Sequence, residues 1–215
     1  MYIYTIIQNI RSAYWDVYNM PIYDFINWFF LFSLFGYLLE CVVLSIEEKR
    51  LILNRGFVHG PFCIIYGFCA VIASVLLTPL VGSVVKLYIA SALLATTAEL
   101  ITAVIMIRVF GGFWWDYSKK PFNYKGIICL ETSLGWGFIG LFFFYFLRGF
   151  MLRVVQLMPE LMSKIVAVVL VVYYIIDFSI CAYRRAKGLD DDVDSVGRLK
   201  AVSYTHLTLP TTPYV

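Results

Sequence analysis

The sequence predicts an all-α fold, a polytopic bundle of about five transmembrane helices, and composition and hydropathy patterning both lead to this prediction. Hydrophobic residues make up 61% of the 215 residues and charged residues only 14%, whereas a soluble domain carries about 25% charge. Five stretches are apolar over the roughly 20 residues that a helix needs to cross a hydrocarbon core of about 30 Å. The composition therefore excludes a soluble enzyme. A net charge of +3, scattered along the chain, also argues against nucleic acid as a partner.

The five predicted spans are separated by segments that contain charge, glycine or proline. The second and third spans are joined by only a few residues around Gly82 and Ser83, which predicts a tight antiparallel hairpin. Trp28 and Trp136 are candidates for positions near the membrane interfaces, where aromatic side chains concentrate. The predicted spans are Phe25–Ile46, Phe62–Val81, Val84–Val109, Gly126–Leu147 and Leu161–Tyr183.

The two ends of the chain are not predicted to cross the bilayer. Isoleucines recur at helical spacing in residues 1–20, which predicts an amphipathic helix in the membrane interface, before a transmembrane domain over 21–187. Residues 202–215 resemble the translation of a transposon-type sequencing adapter, so we expect this segment to be an artefact and exclude it from functional interpretation. The cytoplasmic tail over 188–201 is then expected to be truncated.

The distribution of Lys and Arg predicts the orientation. With five spans, the face that holds the N-terminus carries five of these residues, among them Arg148, and the opposite face carries twelve. Positive residues are retained on the cytoplasmic side. We therefore expect the N-terminus outside and the C-terminus inside, with the loops Glu47–Pro61 and Phe110–Lys125 facing the cytoplasm.

Four acidic residues fall within or at the ends of the predicted spans. A charged side chain at the centre of a span costs roughly 2.5–3.5 kcal/mol or more, so each acid should face protein or water. We interpret them as candidates for a substrate or ion pathway that lines a cytoplasm-facing polar cavity. The alternative is that each acid is protonated or bonded to a neighbouring helix and serves assembly alone. The four acids are Glu40, Glu99, Glu131 and Asp177.

Glu99, the deepest of the acids, lies on a stripe of small residues spaced by four. Small residues at this spacing allow helices to approach closely. We therefore expect this face to pack on another helix and to carry Glu99 into the bundle. The fourth span has a similar stripe. The small residues are Ser91, Ala95 and Ala103 in the third span and Ser133, Gly137 and Gly140 in the fourth.

Each cytoplasmic loop, with the start of the span that follows it, forms a motif rich in glycine, proline, asparagine and aromatic residues. Glycine permits tight turns and proline fixes φ, so we expect built loops that can re-enter the bundle where their backbone is shielded from lipid. The candidate residues are Asn54, Arg55, Gly56, His59, Gly60, Pro61, Tyr66 and Gly67 in the first motif and Trp115, Asp116, Tyr117, Ser118, Pro121, Asn123 and Gly126 in the second.

The two motifs follow their acids at similar distances along the chain. Glu40 precedes Arg55 by 15 residues, and Glu99 precedes Asp116 by 17. This spacing is compatible with a parallel repeat of two spans each, an arrangement found in transporters. It also suggests an Arg55–Asp116 ion pair between the two loops, which is a hypothesis.

These motifs resemble the signatures of a bacterial membrane-protein family known as putative ABC-transporter type IV. The resemblance covers roughly Phe25 to Phe144 and includes several motifs in order. Glu40 and Glu99 lie where that family carries acids in its spans. It rests on Asn54-Arg-Gly-Phe-x-x-Gly-Pro61, Tyr66-Gly67, Trp115-Asp-Tyr-Ser118, Pro121-Phe-Asn123 and Gly126-x-Ile-x-Leu130, followed by Ser133 and Trp136-Gly137.

The resemblance implies the permease component of a transporter in the cytoplasmic membrane of a bacterium. The chain has no GxxxxGK[ST] motif, so we expect any ATPase to be a separate cytoplasmic subunit. Because one five-span chain is small for a pathway, we also expect a homo- or hetero-oligomer.

Two other classes of function remain open. One is an enzyme acting on a lipid or lipid-linked substrate, in which His59, Asp116, Glu40 and Arg55 would supply acid–base and phosphate-binding groups. The other is a membrane scaffold or sensor that does not transport. No HExxH or paired-histidine motif is present and no two cysteines form CxxC, so we expect no metal or cofactor and treat the cysteines as packing residues. The cysteines are Cys41, Cys63, Cys69, Cys129 and Cys181.

Overall fold

Apolar helices form nearly all the regular structure in the computed structural model, which describes residues 19–47, 49–53, 57–110 and 115–187. This architecture confirms the predicted all-α membrane bundle. The helices are α1 Ile22–Glu47, α2 Ile64–Leu76, α3 Val84–Phe110, α4 Leu130–Phe142, α5 Arg148–Gln156 and α6 Glu160–Ala186, with a 3₁₀ turn Thr78–Leu80, a π-helical turn Phe143–Leu147 and a two-stranded hairpin of β1 Asn123–Tyr124 and β2 Ile128–Cys129.

Within the part of the chain that the structure describes, four helical segments are long and apolar enough to cross a membrane. They have mean hydropathies between 1.8 and 2.5 over 25–27 residues, which at helical rise is about 38–40 Å. Their outward faces expose large aliphatic side chains, as at Val168, Val172 and Ile176 of α6, and such faces suit contact with lipid. The segments are Ile22–Ile46, Val84–Val109, Leu130–Gln156 and Glu160–Arg184.

The second predicted span, Phe62–Val81, is shorter as a helix than hydropathy suggested. Its α-helix has 13 residues, or about 20 Å. The amide of Cys63 donates to the carbonyl oxygen of Ser33 at 3.0 Å, and Ser33 lies 14 residues, or about 21 Å, before the end of α1. The helix α2 therefore begins near the middle of the bundle, and the described residues just before it, 57–63, are not helical.

Residues 52 and 53, in the segment that connects α1 to α2, lie against the C-terminal half of α1. The phenol of Tyr37 and the thiol of Cys41 both donate to the carbonyl oxygen of Leu53. The amide of Ile52 donates to Ser45 Oγ at 3.0 Å. Because side chains of α1 pair with these backbone groups, the non-helical chain is satisfied where it follows the helix inwards.

The fourth predicted span, Gly126–Leu147, is displaced towards the C-terminus. It begins at Leu130 because the preceding residues form the β1–β2 hairpin, and it continues through the π turn to Gln156. Arg148 was expected at the outer membrane face, but it is 1% exposed inside the bundle. Its guanidinium donates to Thr78 Oγ1 at 3.1 Å and lies 5.8 Å from the ring centroid of Phe144, which stabilises the buried position.

The main apolar core lies around the N-terminal half of α1. Trp28 is 0% exposed there and packs edge-to-face on Phe32, with ring centroids 4.7 Å apart. Its side chain faces the bundle and not lipid, because α1 also packs against α2, α5 and α6; its position near an interface stays a prediction. Asn27 joins α1 to α6 by donating to the carbonyl oxygen and Oγ of Ser163 at 2.9 and 2.7 Å.

The predicted terminal segments fall mostly outside this description. The interfacial helix over 1–20 overlaps it only at Asn19 and Met20. The tail over 188–201 and the adapter-like segment over 202–215 lie outside the described residues.

Candidate functional site

Close packing of α3 on α4 sets the position of Glu99. A Cβ built on Gly140 would lie 2.2 Å from Ser91 Cβ, so only glycine fits at this crossing without a shift. Five residues further along α3, Thr96 Oγ1 donates to Ser133 Oγ at 2.9 Å. The small-residue stripes therefore face each other, which confirms the expected packing and carries Glu99 into the bundle.

Both carboxylate oxygens of Glu99 accept hydrogen bonds inside the bundle. The Tyr117 hydroxyl donates to Oε1 at 2.8 Å, and Trp136 Nε1 donates to Oε2 at 3.3 Å. Glu99 is 7% exposed and lies 11 residues, or about 16 Å, before the end of α3. Trp136 was expected near an interface, and its role as a donor to Glu99 was not predicted.

Glu40 joins the same group of side chains from the other side. The Tyr66 hydroxyl donates to Glu40 Oε1 at 2.7 Å. The ring of Tyr66 meets the ring of Trp136 edge-to-face, with centroids 5.9 Å apart. These contacts link two acids and three aromatic residues from four helices and the second loop. We call this group the acid–aromatic cluster: Glu40, Tyr66, Glu99, Tyr117 and Trp136.

The cluster is built to hold negative charge or a proton away from water. Phenol and indole groups donate to the carboxylates, and such donors favour the ionised form of an acid. Burial, followed by the charge of nearby Glu99, raises the pKa of Tyr117 well above its ordinary value. Tyr117 therefore remains a protonated donor near neutral pH. The aromatic rings cover Glu99 closely, and the cytoplasm-facing cavity expected around the acids remains a prediction.

The second loop is a folded hairpin that presents Tyr117 to Glu99. The Tyr117 amide donates to the carbonyl oxygen of Gly126 at 2.9 Å, and the Gly126 amide donates to Asn123 Oδ1 at 3.0 Å. Gly126 has φ +69°, and a Cβ there would lie 3.0 Å from Asp116 Oδ1. The positive φ and the nearby Asp116 carboxylate both favour glycine at position 126.

Four further motif residues have contacts or positions within the loop itself. Trp115 Nε1 donates to the carbonyl oxygen of Ile127 at 2.7 Å. Asp116 Oδ1 accepts from the amide of Ser118 at 2.9 Å and also from its hydroxyl. Pro121 lies exposed near the tip. These residues hold the shape of the loop, while Tyr117 reaches the acid.

Glu131 lies apart from the acid–aromatic cluster. Its carboxylate pairs with Lys120 Nζ at 3.0 Å, and the two side chains are 60% and 36% exposed. This ion pair joins the first turn of α4 to the second loop. Among the four acids singled out in the sequence, Glu131 is therefore placed at the surface.

Asp177 of α6 holds the end of the first loop in a second cluster. Its Oδ2 accepts from the Gly60 amide at 2.7 Å, and its Oδ1 lies 3.0 Å from His59 Nδ1. Cys181 Sγ also lies 3.0 Å from His59 Nδ1. Asp177 is 8% exposed. The sequence analysis interpreted Cys181 as a packing residue. Its spacing of four residues from Asp177 nevertheless places both side chains on one face of α6.

The remaining residues of the first motif have structural positions or fall outside the described residues. A Cβ on Gly67 would lie 2.6 Å from Ser33 Oγ, so Gly67 allows α2 to approach α1. Pro61 is exposed. Asn54, Arg55 and Gly56 lie outside the described residues, and with them the predicted Arg55–Asp116 pair.

Comparison with known proteins identifies the family. A family model described as "Putative ABC-transporter type IV" matches residues 27–182, which is well over half of the chain and includes all five residues of the acid–aromatic cluster. No curated protein and no solved structure matches the chain. The match confirms the resemblance found in the loop motifs, and the apolar helices agree with it. This chain is a membrane protein and belongs to the putative ABC-transporter type IV family.

Proposed function

We propose that this chain is the permease component of a transporter in a bacterial cytoplasmic membrane, and that the acid–aromatic cluster lies on its substrate or ion pathway. One observation carries the proposal. Two acids from separate helices, Glu40 and Glu99, are each bonded to a tyrosine and connected through the Tyr66–Trp136 ring contact inside the bundle. Ionisable groups at such depth are costly and mark pathways by default.

The chemistry of the cluster favours a proton or a cationic group as the species that binds there. Carboxylates accept protons or cations, and aromatic faces attract cations. Movement of Tyr117 or Trp136 would expose Glu99, because these side chains donate to its two oxygens. A shift of the second loop would therefore open the site.

The tip of the second loop is the proposed docking point for a separate cytoplasmic ATPase. Phe122 is 83% exposed and Tyr124 is 55% exposed, and the Lys and Arg distribution along the sequence favours a cytoplasmic position for this loop. Exposed aromatic residues are common anchors in protein interfaces. Because the same loop carries Tyr117, docking would be coupled directly to the contact with Glu99.

Purification in mild detergent, with mass spectrometry of the copurified proteins, tests the ATP-driven permease. We expect recovery of a stoichiometric ATPase with the wild-type chain. Phe122→Ala should abolish this recovery, while Leu157→Ala should retain it, because Leu157 is 82% exposed in the turn between α5 and α6, away from the loop. Recovery of the chain alone, or only as a homo-oligomer, would contradict the proposal.

Reconstitution of the copurified complex in liposomes tests the role of the cluster. We expect Glu99→Gln to keep the ATPase bound but to change ATP hydrolysis in the liposomes, whereas Glu131→Gln at the surface should behave as wild type. Hydrolysis by the Glu99→Gln complex at the wild-type rate would show that Glu99 does not lie on the coupled pathway.

A further inference from the structure

We propose that His59, Asp177 and Cys181 form a binding site for a divalent transition-metal ion, for which Zn²⁺ is the best match. The three side chains offer one nitrogen, one carboxylate oxygen and one sulfur within 4.8 Å of one another. The inference is independent of the proposed transport function, because it rests on ligand chemistry in a different part of the bundle.

The fold brings these ligands together from two directions. Asp177 and Cys181 are four residues apart on α6 and therefore lie on the same helix face. His59 comes from the segment that precedes α2, which lies against α6: the ring of Phe57 lies 5.0 Å from that of Phe178. No short sequence motif unites the ligands, since 118 residues separate His59 from Asp177.

The distances between the ligand atoms fit a tetrahedral metal. His59 Nδ1 lies 3.0 Å from both Asp177 Oδ1 and Cys181 Sγ, and the sulfur lies 3.8 Å from the oxygen. Tetrahedral Zn²⁺ with ordinary bond lengths separates such ligand atoms by about 3.4–3.6 Å. The observed separations agree within about half an ångström, so small rotations of the side chains would complete the site.

Hydrogen bonds join the three groups only weakly at the sulfur, because the thiol of Cys181 donates to Asp177 Oδ1 at the long distance of 3.8 Å. Both Asp177 and Cys181 approach the same ring nitrogen of His59, and one proton on that nitrogen can serve only one of them well. The arrangement also differs from a Cys–His–Asp catalytic triad, in which the thiol and the carboxylate contact opposite ring nitrogens. A metal ion in place of the proton would bond to all three groups.

The second oxygen of Asp177 is already oriented by a supporting contact. Its Oδ2 accepts the Gly60 amide at 2.7 Å, which turns Oδ1 towards His59 and Cys181. Such supporting hydrogen bonds are typical of metal sites. A Cβ on Gly60 would lie 2.5 Å from the Tyr173 hydroxyl, so glycine allows the backbone to make this contact.

Charge and access also favour a metal. Ionised Asp177 and Cys181 together carry two negative charges, and Zn²⁺ would make the buried group neutral, which lowers the cost of charge within a span. The thiolate and imidazole select a borderline or soft ion over Mg²⁺ or Ca²⁺. The side chain of His59 is 62% exposed, so the ion can enter, and a fourth position remains for water or a small anion.

Binding of Co²⁺, a spectroscopic substitute for Zn²⁺, tests the site in the purified full chain. We expect one Co²⁺ per chain, with the charge-transfer absorption that a cobalt–thiolate bond produces. Cys181→Ser should remove that absorption, and His59→Gln should weaken binding by at least about 10-fold. The matched control is Cys69→Ser, which removes a thiol from α2 and should leave binding unchanged.

A second readout separates metal binding from damage to the fold. Zn²⁺ should raise the thermal midpoint of the wild-type chain and of Cys69→Ser, because a ligand that binds only the folded state stabilises it. At the same Zn²⁺ concentration it should raise that of His59→Gln clearly less, because this variant loses one ligand while it changes an exposed side chain and leaves the buried face of α6 intact. No Co²⁺ binding by the wild type, or cobalt–thiolate absorption that persists in Cys181→Ser, would overturn the proposal.

Discussion

The two helical hairpins of this protein, α1–α2 and α3–α4, hold an acid in the same way. In each, an acid on the first helix accepts a tyrosine hydroxyl from the chain that follows: Tyr66 for Glu40 and Tyr117 for Glu99. In each, a serine on the first helix also lies against a glycine on the second, at Ser33–Gly67 and Ser91–Gly140. The similarity agrees with the parallel repeat predicted from sequence, although the donors come from different points of the two hairpins.

The hairpins differ in what supports the intervening chain. The second loop closes on itself through the β1–β2 pair and the contacts of Gly126. The end of the first loop instead depends on α6, through Gly60 and Asp177. Glu99 is buried with donors on both oxygens, whereas Glu40 is half-buried. The comparison teaches that each hairpin supplies the tyrosine that bonds its own acid, but the loop of the first hairpin also uses a third helix, α6, for support.

One of the two largest expected effects comes from the close helix crossing in the second hairpin. Gly140→Ala should lower the free energy of unfolding by about 1–3 kcal/mol, because its Cβ would lie 2.2 Å from Ser91 Cβ and force the helices apart. Thermal unfolding in detergent measures the change. Gly135→Ala is the matched control on the same helix, since a Cβ there meets nothing within 4 Å. Equal stability of the two variants would contradict the tight crossing.

Replacing Glu99 and Glu40 by glutamine tests how much each acid stabilises its hairpin. Glu99→Gln replaces one acceptor oxygen by an amide, so Tyr117 or Trp136 loses its acceptor; we expect a loss of about 1–3 kcal/mol. Glu40→Gln keeps an oxygen that can accept from Tyr66, so its effect on stability should be smaller. Denaturant unfolding of both variants gives the ranking. A larger loss for Glu40→Gln would reverse the roles assigned to the two hairpins.

Alkaline pH should weaken the second hairpin through Tyr117. Its folded-state pKa is raised by burial and by Glu99, while the unfolded chain ionises near pH 10. The contribution of Tyr117 is therefore fully present below about pH 10 and is lost as the pH rises towards its folded pKa. We expect the thermal midpoint to fall more between about pH 9 and about pH 11 in the wild type than in Tyr117→Phe. Identical pH dependence would contradict the buried phenol.

The smallest effect is expected at the surface of the second hairpin. Lys120→Ala removes the exposed ion pair with Glu131 and should cost less than about 1 kcal/mol, decreasing further at high salt. Thermal unfolding at low and high ionic strength tests this. A loss as large as that of Glu99→Gln would mean that the pair, rather than Tyr117, holds the loop in place.

Periodicity and residue size predicted much of this arrangement. The spans Phe25–Ile46, Val84–Val109 and Leu161–Tyr183 agree with α1, α3 and α6 to within a few residues, since long apolar runs determine them. The small-residue stripe correctly placed Glu99 inside the bundle. Both features are local along one helix, so the sequence carries them directly.

Contacts between distant parts of the chain were not predictable in the same way. Hydropathy predicts one span over Phe62–Val81. The hydrogen bond from the Cys63 amide to the Ser33 carbonyl oxygen instead places the start of α2 near the middle of the bundle. The sequence alone suggests an interfacial position for Trp136. The packing of α4 on α3 directs its side chain towards Glu99. The partnership of His59 with Asp177 likewise depends on where the last helix packs.

A double-mutant cycle between Glu40→Gln and Glu99→Gln tests the central claim most directly, namely that the two hairpins bring their acids into one cluster. The free energies of unfolding of the two single variants and the double variant are measured, with a Glu40→Gln and Glu131→Gln cycle as the control. Groups joined in one network couple by about 0.5–3 kcal/mol, whereas distant groups add within about 0.5 kcal/mol. We predict coupling between Glu40 and Glu99 and none between Glu40 and Glu131; additive effects in both cycles would contradict the acid–aromatic cluster.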